Sequence, residues 1–338
     1  MAFGNRVTTT TQDFLAPKVV DTILNSNVFA SRMLRAAKKW RGEQMKFPVK
    51  LSQSTNGGSF SGFDTFTTSA VDTRRNLAYA PKFFEQPVVL PLDELSANQT
   101  QEKVIGLMEV EMESSAQDMA DAIGTLFYSD GTGNSSKDFL GLEAIVDDGT
   151  NAATIGGLTR ASFDSLDSTV TASSGTLTLA KMATLYSDVR SGSVKPTAAY
   201  CPELVWDLYE QLLEPKLRIN KDVSLSKGGL KGGTGFTALD YKGFPVLADE
   251  KATSGVLYFL NEDFIDWYGL PVANTEPIRF SSDIEGNDYS NMPGLGFSWS
   301  GWIKPTNQAS IVGHVYLGGE LVTTNPKRQG KLTGITGI

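Results

Sequence analysis

The sequence predicts an α+β protein of two or three lobes. Three observations support this fold class: a strand-like alternation at Met45–Leu51, a helical pattern without proline at Gln101–Tyr128, and alternating helical and strand-like segments over Leu158–Gly269. The chain has 338 residues, which exceeds the usual size of one domain. Hydrophobic residues make up 40% of it and charged residues 20%, so a sizeable core can form and a disordered chain is excluded.

The net charge and the rarest residues exclude several classes of function. The formal net charge is −8, whereas a dedicated nucleic-acid-binding protein usually carries a basic excess. His314 and Cys201 are the only residues of their types, which excludes an intrachain disulfide and a zinc site built from several such ligands. We expect His314 to be a packed core histidine and Cys201 to be a small buried hydrophobe. No segment resembles a signal peptide or a membrane span, which favours a soluble protein in a reducing compartment.

The first predicted element is a helical segment with interruptions at Gln12–Trp40. Between Ala30 and Lys50 the chain has seven basic residues and one acid, Glu43, so seven minus one gives a local charge of +6. This stretch is either a solvated basic face or a face held against something acidic. Its basic residues are Arg32, Arg35, Lys38, Lys39, Arg41, Lys46 and Lys50.

The second predicted element is a two-stranded arm with a flexible tip. Met45–Leu51 forms its first strand, and a strand-like stretch ending at Val88–Leu90 forms its second. The loop at 52–73 is rich in Ser, Thr and Gly, and loops longer than about 12–15 residues are uncommon inside compact domains. Its aromatic side chains either tuck under their own domain or rest on another molecule. These side chains are Phe60, Phe63 and Phe66.

The third predicted element is a helix over Gln101–Tyr128, about 40 Å long at 1.5 Å per residue. Nine acids and one lysine lie between Asp93 and Asp130, so one minus nine gives −8, and the basic stretch could offset this charge within a chain or between chains. Glu109 and Glu113 lie four residues apart, which weakens an isolated helix unless cations are near. As an alternative, these two carboxylates would act as the acid and base of a hydrolase. The cations proposed to face them are Arg32, Arg35, Lys38 and Lys39.

The α/β part contains three clear elements: a helix at Leu179–Val189, a buried strand at Thr197–Cys201, and a second helix that Pro202 opens. The glycine-rich segment at 227–235 contains Lys227 and Lys231 but lacks the spacing of a phosphate-binding loop, which favours a mobile loop.

The last part of the chain is predicted to be β structure. Ile311–Leu317 is expected to turn at Gly318-Gly319 into a second strand, Glu320–Thr324, as a hairpin. A basic tail is expected to follow, with Lys327, Arg328 and Lys331.

The order of these parts resembles the major capsid proteins of tailed double-stranded DNA phages, which have the Hong Kong 97-type fold. The likeness covers nearly the whole chain, by layout more than by an invariant motif. It is carried by the arm Gln12–Trp40, the loop Met45–Leu90, the spine-helix candidate Gln101–Tyr128, the turn Asp130–Gly133 with Phe139–Leu142, and Tyr241–Val246. The resemblance implies an N-terminal arm (1–43), an extended loop (44–91), a peripheral domain with the spine helix (92–154), an axial α/β domain (155–275), and a return to the peripheral domain with a C-terminal tail (276–338).

The resemblance also implies a function. It implies a major capsid protein without enzymatic activity, which self-assembles into hexamers and pentamers of an icosahedral shell around a double-stranded DNA genome. The implied partners are further copies of the chain, a scaffolding protein, a portal protein, a possible decoration protein and, without sequence specificity, the packaged DNA. No cofactor, metal or membrane is implied. The protein would be made in the host cytoplasm and reside in the virion. The alternative is an encapsulin-like cellular compartment, which shares the fold.

Two sets of residues are implied, one in the extended loop and one in an axial loop. The extended loop would lie across a neighbouring subunit, and the lysines at 227 and 231 would belong to an axial loop. No lysine lies between Leu51 and Pro81, so we do not expect a covalent cross-link through the loop tip. The arm begins almost at the first residue, which leads us to expect a separate scaffolding protein and no removal of a long N-terminal piece. The loop residues expected at the interface are Phe60, Phe63, Phe66, Arg74 and Arg75.

Overall fold

The computed structural model describes residues 27–97, 101–213, 238–277 and 295–338, which form two mixed sheets, flanking helices and a protruding hairpin. The helices are α1 Val28–Arg35, α2 Leu92–Ala97, α3 Gln101–Tyr128, α4 Leu142–Ile145, α5 Leu179–Val189 and α6 Glu203–Leu213. The strands in the first half are β1 Lys38–Lys39, β2 Met45–Lys50, β3 Arg74–Tyr79, β4 Lys82–Pro91, β5 Thr154–Ile155, β6 Leu158–Thr159, β7 Thr169–Thr171 and β8 Gly175–Thr176. The later strands are β9 Ala198–Cys201, β10 Ala238–Tyr241, β11 Phe244–Ala248, β12 Leu257–Leu260, β13 Ile265–Gly269, β14 Glu276–Pro277, β15 Phe297–Trp299, β16 Ser310–Thr323, β17 Gly330–Leu332 and β18 Ile335–Gly337.

The first sheet is built around β16, a strand of 14 residues. The strand order is β1-β13-β16-β15-β14, and β4 also pairs with β16. Antiparallel β4 runs along β16 from Ser310 to Gly319, and β13 continues along it from Gly319 to Thr323. β16 therefore pairs with β4 along its first part and with β13 along its last part, and the change of partner occurs at Gly319.

The hairpin predicted at Gly318-Gly319 is wrong, because the chain passes straight through this dipeptide inside β16. Both glycines serve close packing instead. A Cβ atom on Gly318 would lie 2.2 Å from the carbonyl oxygen of Leu270, and one on Gly319 would lie 2.3 Å from that of Tyr268. Glycine in a strand interior is typical of such close approach of a second backbone.

The predicted long helix is confirmed as α3, with 28 residues from Gln101 to Tyr128. Its buried side includes Met112, Met119 and Phe127 and packs in a large core beneath the first sheet. The Phe127 ring lies 5.3 Å from the indole of Trp267 on β13 and 6.1 Å from Phe29 on α1. Helix α1, α3 and the first sheet therefore share one core.

The second sheet has the order β10-β11-β9-β12-β17-β7, with α5 and α6 packed against it. The predicted helix at Leu179–Val189 and the buried strand ending at Cys201 are confirmed. β13 belongs to the first sheet, and β17 belongs to the second sheet. β17 is buried because it fills the gap between β12 and β7.

The hairpin of β2 and β3 is the described two-stranded arm, and it is shorter than predicted. The two strands pair antiparallel from Met45 opposite Tyr79 to Lys50 opposite Arg74. The predicted second strand of the arm extended to Leu90. In the structure, β4 is not part of the arm, and all of β4 pairs with β16 instead. Its apolar residues Val88 and Leu90 are buried there, which explains the strand-like pattern without placing it in the arm.

We expect Gly318→Ala to destabilise the folded chain by about 1–3 kcal/mol, because the added methyl group would collide with the Leu270 carbonyl. Gly337→Ala is the matched control, since a Cβ atom at Gly337 meets nothing within 4 Å. Urea denaturation of each purified variant gives the free energy of unfolding. Equal stability of the two variants would contradict the close approach at Gly318.

Candidate functional site

The base of the hairpin is held on its own domain through one apolar face. Phe47 on β2 lies 6.3 Å from the ring of Tyr79 and 5.6 Å from that of Tyr268 on β13. Leu77 on β3 is fully buried, and the backbone N–H of Ala78 donates to the carbonyl of Gly156 at 2.8 Å. These contacts fix the direction in which the hairpin leaves the domain.

The loop that joins the two strands, residues 51–73, has no such cover beyond Leu51, which packs at the hairpin base. Phe60 and Phe66 are 68% and 66% exposed, and Phe63 is fully exposed. The rings of Phe60 and Phe66 meet edge to face at 5.2 Å, which is the aromatic contact that the tip makes with itself. Three aromatic side chains thus project from a loop whose two ends are fixed by β2 and β3.

The two arginines predicted at this interface lie where the loop enters β3. Arg74 is exposed and stands opposite Lys50 in the hairpin register. Arg75 is also exposed and forms an ion pair with Asp72. Both side chains therefore lie at the outer end of the fixed base, beside the loop.

The structure places the predicted cation Arg32 in a buried ion pair. Its Nε donates to Oε1 of Glu262 at 2.9 Å, and the hydroxyl of Tyr200 donates to the same oxygen at 2.6 Å. Side-chain exposure is only 10% for Arg32 and 3% for Glu262. Burial alone would lower the pKa of Arg32. Tyr200 and the Glu262 carboxylate together raise this pKa by more than burial lowers it, so the pKa is raised overall. Burial, with the charge of Glu262, raises the pKa of Tyr200 well above its usual value.

The next cation, Lys38, pairs with Asp266 on β13 at 2.6 Å. It lies in β1, which pairs in parallel with β13, and its side chain is 51% exposed. Lys39, the other residue of β1, is exposed as well. Burial opposes a charged Lys38, but the hydrogen bond and charge of Asp266 raise its pKa overall.

The remaining predicted residues fall in different places. Arg35 ends α1, Glu109 is half-buried on α3, and Glu113 is exposed on α3. The ion pairs of Arg32 and Lys38 join α1 and β1 to the region of β13, across about 230 positions of sequence. Lys227 and Lys231 lie outside the described residues.

A buried charge cluster that the sequence interpretation missed lies between β17 and the segment that follows α4. Asp147 accepts three backbone N–H bonds on Oδ2, from residues 149, 151 and 152, while Lys331 lies 3.7 Å from its Oδ1. Arg160 donates to the carbonyls of Asp147 and Ala144 at 2.7 Å each. Burial lowers the pKa of Lys331 and of Arg160, and the nearby acids oppose this. The prediction of a basic tail is therefore wrong for Lys331, because its buried side chain connects β17 to the loop after α4 through Asp147.

A second missed group is Glu320 on β16. Its Oε1 accepts the N–H of Leu140 at 2.6 Å, and Lys82 on β4 lies 3.6 Å from its Oε2. Burial raises the pKa of Glu320 to about 7, although Lys82 and the two backbone donors act in the opposite direction. This carboxyl group joins β16, β4 and the turn that follows α3. A glutamate three residues from the end of an apolar run gave no signal of this role.

The predictions for the single cysteine and the single histidine of the sequence have different outcomes. Cys201 is fully buried at the end of β9, as predicted, and burial raises the pKa of its thiol. The prediction for His314 is wrong: it is half-buried, its Nδ1 lies 2.6 Å from Glu85 on β4, and its ring stacks on Tyr316 at 5.9 Å. His314 lies on the side of β16 that faces away from the core, and the strand alternation alone did not tell which side that was.

The described part of the chain contains neither a metal-binding cluster nor a membrane-spanning helix. No cluster of three or more His, Cys, Asp or Glu side chains there could hold a metal ion. No described helix is both long and apolar enough to span a bilayer.

Comparison with known proteins identifies the fold. No protein-family model and no curated protein sequence matches this chain. Among solved structures, it is similar to a chain of the cyanophage A-1(L) capsid asymmetric unit, with a TM-score of 0.66, 13% identity, and coverage of 91% of this chain and 92% of that one. The chain has the Hong Kong 97-type capsid fold.

Two further solved structures share this capsid fold with the chain. A chain of Mycobacterium phage Patience matches with a TM-score of 0.52 and 8% identity, over 99% of this chain and 88% of that one. A chain of the holo-SrpI encapsulin complex from Synechococcus elongatus PCC 7942 matches with a TM-score of 0.52 and 13% identity, over 91% and 87%. The predicted fold class is therefore confirmed, and the fold occurs in both phage capsids and encapsulins.

We expect Arg32→Ala to cost about 3–5 kcal/mol of folding free energy, because it leaves the Glu262 carboxylate buried without its cation. Lys38→Ala is the matched control on the same segment. Its side chain is half-exposed, and exposed ion pairs contribute about 0–1 kcal/mol. Thermal and urea unfolding of both variants measure the difference. A loss for Arg32→Ala no larger than that for Lys38→Ala would contradict the role given to the buried pair.

Proposed function

We propose that this chain is the major capsid protein of a tailed double-stranded DNA phage. In this role it has no enzymatic activity and self-assembles into hexamers and pentamers of an icosahedral shell that encloses the genome. The observation that carries the proposal is the loop at 51–73, which presents three exposed phenylalanines from a hairpin base fixed on its own domain. The fold shared with the cyanophage capsid chain supports it.

The exposed loop tip makes an isolated copy incomplete. Burying one phenylalanine side chain stabilises an assembly by roughly 1.5–3 kcal/mol. Three such side chains on each subunit supply several kcal/mol, and a closed shell repeats this contact many times. The loop of one copy therefore lies across a neighbouring copy, which covers Phe60, Phe63 and Phe66.

The other partners follow from the proposed role. A scaffolding protein guides assembly, a portal protein occupies one vertex, a decoration protein binds some shells, and packaged DNA contacts the inner surface without sequence specificity. The subunit is made in the host cytoplasm and resides in the virion. These partners rest on the resemblance to phage capsid proteins and on the shared fold.

An encapsulin-like compartment is the second candidate, and the similarity to the SrpI encapsulin chain favours it. The two candidates differ in what they need and what they contain. A compartment shell closes when this chain is expressed alone and encloses a protein cargo. A phage shell requires a scaffold for shells of uniform size and encloses DNA. Negative-stain electron microscopy, with mass spectrometry of the contents, separates the two.

We expect the triple variant Phe60→Ser, Phe63→Ser and Phe66→Ser to lose most of its shells while the unassembled chain keeps its stability. All three rings are exposed in the isolated chain, so their removal costs the fold little. Electron microscopy and size-exclusion chromatography measure assembly, and urea denaturation of the unassembled chain measures stability.

Phe47→Ser is the matched control on the same hairpin. Its ring is half-buried against Tyr79 and Tyr268, so this variant is expected to lower the stability of the unassembled chain by about 1–2 kcal/mol. If the triple variant forms as many shells as the wild type, the proposal that the loop is an interface is refuted. A chain that stays monomeric at high concentration, with and without a scaffold, would refute the proposed function.

A further inference from the structure

An asparagine side chain closes the neck of the exposed loop. The Nδ2 of Asn56 donates a hydrogen bond to the carbonyl oxygen of Ser69, on the opposite side of the loop, at 2.5 Å. This contact lies between the hairpin base and the ring pair of Phe60 and Phe66. It therefore holds the two sides of the loop together next to the exposed rings.

The amide group of Asn56 is essential to this contact because it supplies the donor. An ionised aspartate in the same place has only acceptor atoms. Its carboxylate would face the Ser69 carbonyl as a second acceptor, so repulsion would replace the hydrogen bond. Loss of this amide would therefore open the neck and change the position of Phe60 and Phe66 relative to the hairpin base.

The residue after Asn56 is a glycine whose backbone nitrogen can reach that amide. Gly57 is exposed, and a Cβ atom there would meet nothing within 4 Å. In the described part of the chain, no hydrogen bond occupies the N–H of Gly57. Glycine also has more rotational freedom than any other residue, and Gly58 follows. The attacking nitrogen and the amide carbon are thus neighbours in one chain, which favours a reaction between them.

Asn151 has the opposite arrangement and provides a reference within the same molecule. It is also exposed, but the next residue is Ala152, whose N–H donates to the Asp147 carboxylate at 2.9 Å. The N–H of Asn151 donates to the same carboxylate at 3.0 Å. The attacking nitrogen is therefore occupied at this position, and the backbone on both sides of it is held.

We propose that Asn56 is a site of spontaneous covalent modification, and that its conversion disables the loop as an interface. The nitrogen of Gly57 forms a bond to Cγ of Asn56, the Cγ–Nδ2 bond breaks, and ammonia leaves with the proton of the Gly57 N–H. Water then adds to one carbonyl carbon of the resulting cyclic imide and breaks its bond to nitrogen, which gives aspartate or isoaspartate. The effect on the interface rests on the proposed function, whereas the chemical step does not.

The modification distinguishes copies by the time they spend unassembled. In an unassembled copy, the loop is open to water and free to reach the geometry of the attack. In a shell, a neighbouring copy that covers the loop restricts this motion and excludes water. Copies that wait too long before assembly therefore lose their interface, and copies that assemble early keep it.

Peptide mass spectrometry of the purified, unassembled chain tests the chemical step. The chain is held at mildly alkaline pH and sampled over days. Trypsin cuts after Lys50 and Arg74, and the peptide between these cuts contains Asn56 as its one asparagine. We expect the side-chain NH2 of Asn56 to be replaced by OH at least severalfold faster than that of Asn151, with isoaspartate among the products.

Two variants separate the chemical step from its effect on assembly. Gly57→Ala keeps the Asn56 amide and has room for its methyl group, but it restricts the rotation that the attack needs, so conversion is expected to slow at least severalfold. Asn56→Asp imitates one product and is expected to reduce shell yield severalfold. Freshly purified Gly57→Ala is the matched control and is expected to assemble as the wild type does. Urea denaturation of both unassembled variants checks that they fold.

The outcomes separate this inference from the proposed function. Conversion of Asn56 that is no faster than that of Asn151, or no slower in Gly57→Ala, overturns the inference. Equal shell yields from Asn56→Asp and the wild type also overturn it, while the shells themselves leave the proposed function standing. A wild-type chain that never forms shells refutes the proposed function and the effect on assembly, and the peptide still shows whether Asn56 converts.

Discussion

Apolar surface that the chain cannot cover by itself is the constraint on which the rest of this structure depends. The hairpin of β2 and β3 is packed on its own domain through Phe47, Leu77 and Tyr79, so its direction is fixed. The loop beyond it exposes three phenylalanines to water. A flexible loop could fold back to cover them, but here the fixed base holds them away from the domain. This geometry favours a partner as the source of their cover.

Two ion pairs, one buried and one half-exposed, help to hold the base in position. Arg32 and Lys38 tie α1 and β1 to Glu262 and Asp266 beside β13, and β13 in turn packs Tyr268 against Phe47. A buried pair is costly to break because the remaining charge stays in a medium of low dielectric. The segment before the hairpin is thereby fixed to the same strand that supports the hairpin. A rigid base with an uncovered tip suits contacts that must repeat with the same geometry in every copy.

The sequence predicted those features that depend on local periodicity. Helix α3, strand β9 and helix α5 were found because their apolar residues repeat at helical or strand spacing, and the uncovered loop was found because it is long and poor in charges. The hairpin predicted from the dipeptide Gly318-Gly319 was wrong, because glycine is equally suited to a turn and to close packing of two backbones. The partners of Arg32 and Lys331 could not be predicted, because they lie far away in sequence and no periodic pattern links them. The charge surplus of the basic stretch was visible, but the sequence did not show which of its cations pair inside the chain.

Hydrogen exchange at the backbone amides of residues 52–72 tests most directly whether a neighbouring copy covers the loop. These residues are almost all exposed in the isolated chain, so their amides should exchange rapidly in the unassembled protein. In purified shells we expect the amides around Phe60, Phe63 and Phe66 to exchange much more slowly, while those of α3, already protected, change little. Equally rapid exchange of the loop in both forms would show that no copy covers it and would contradict the assembly role given to this loop.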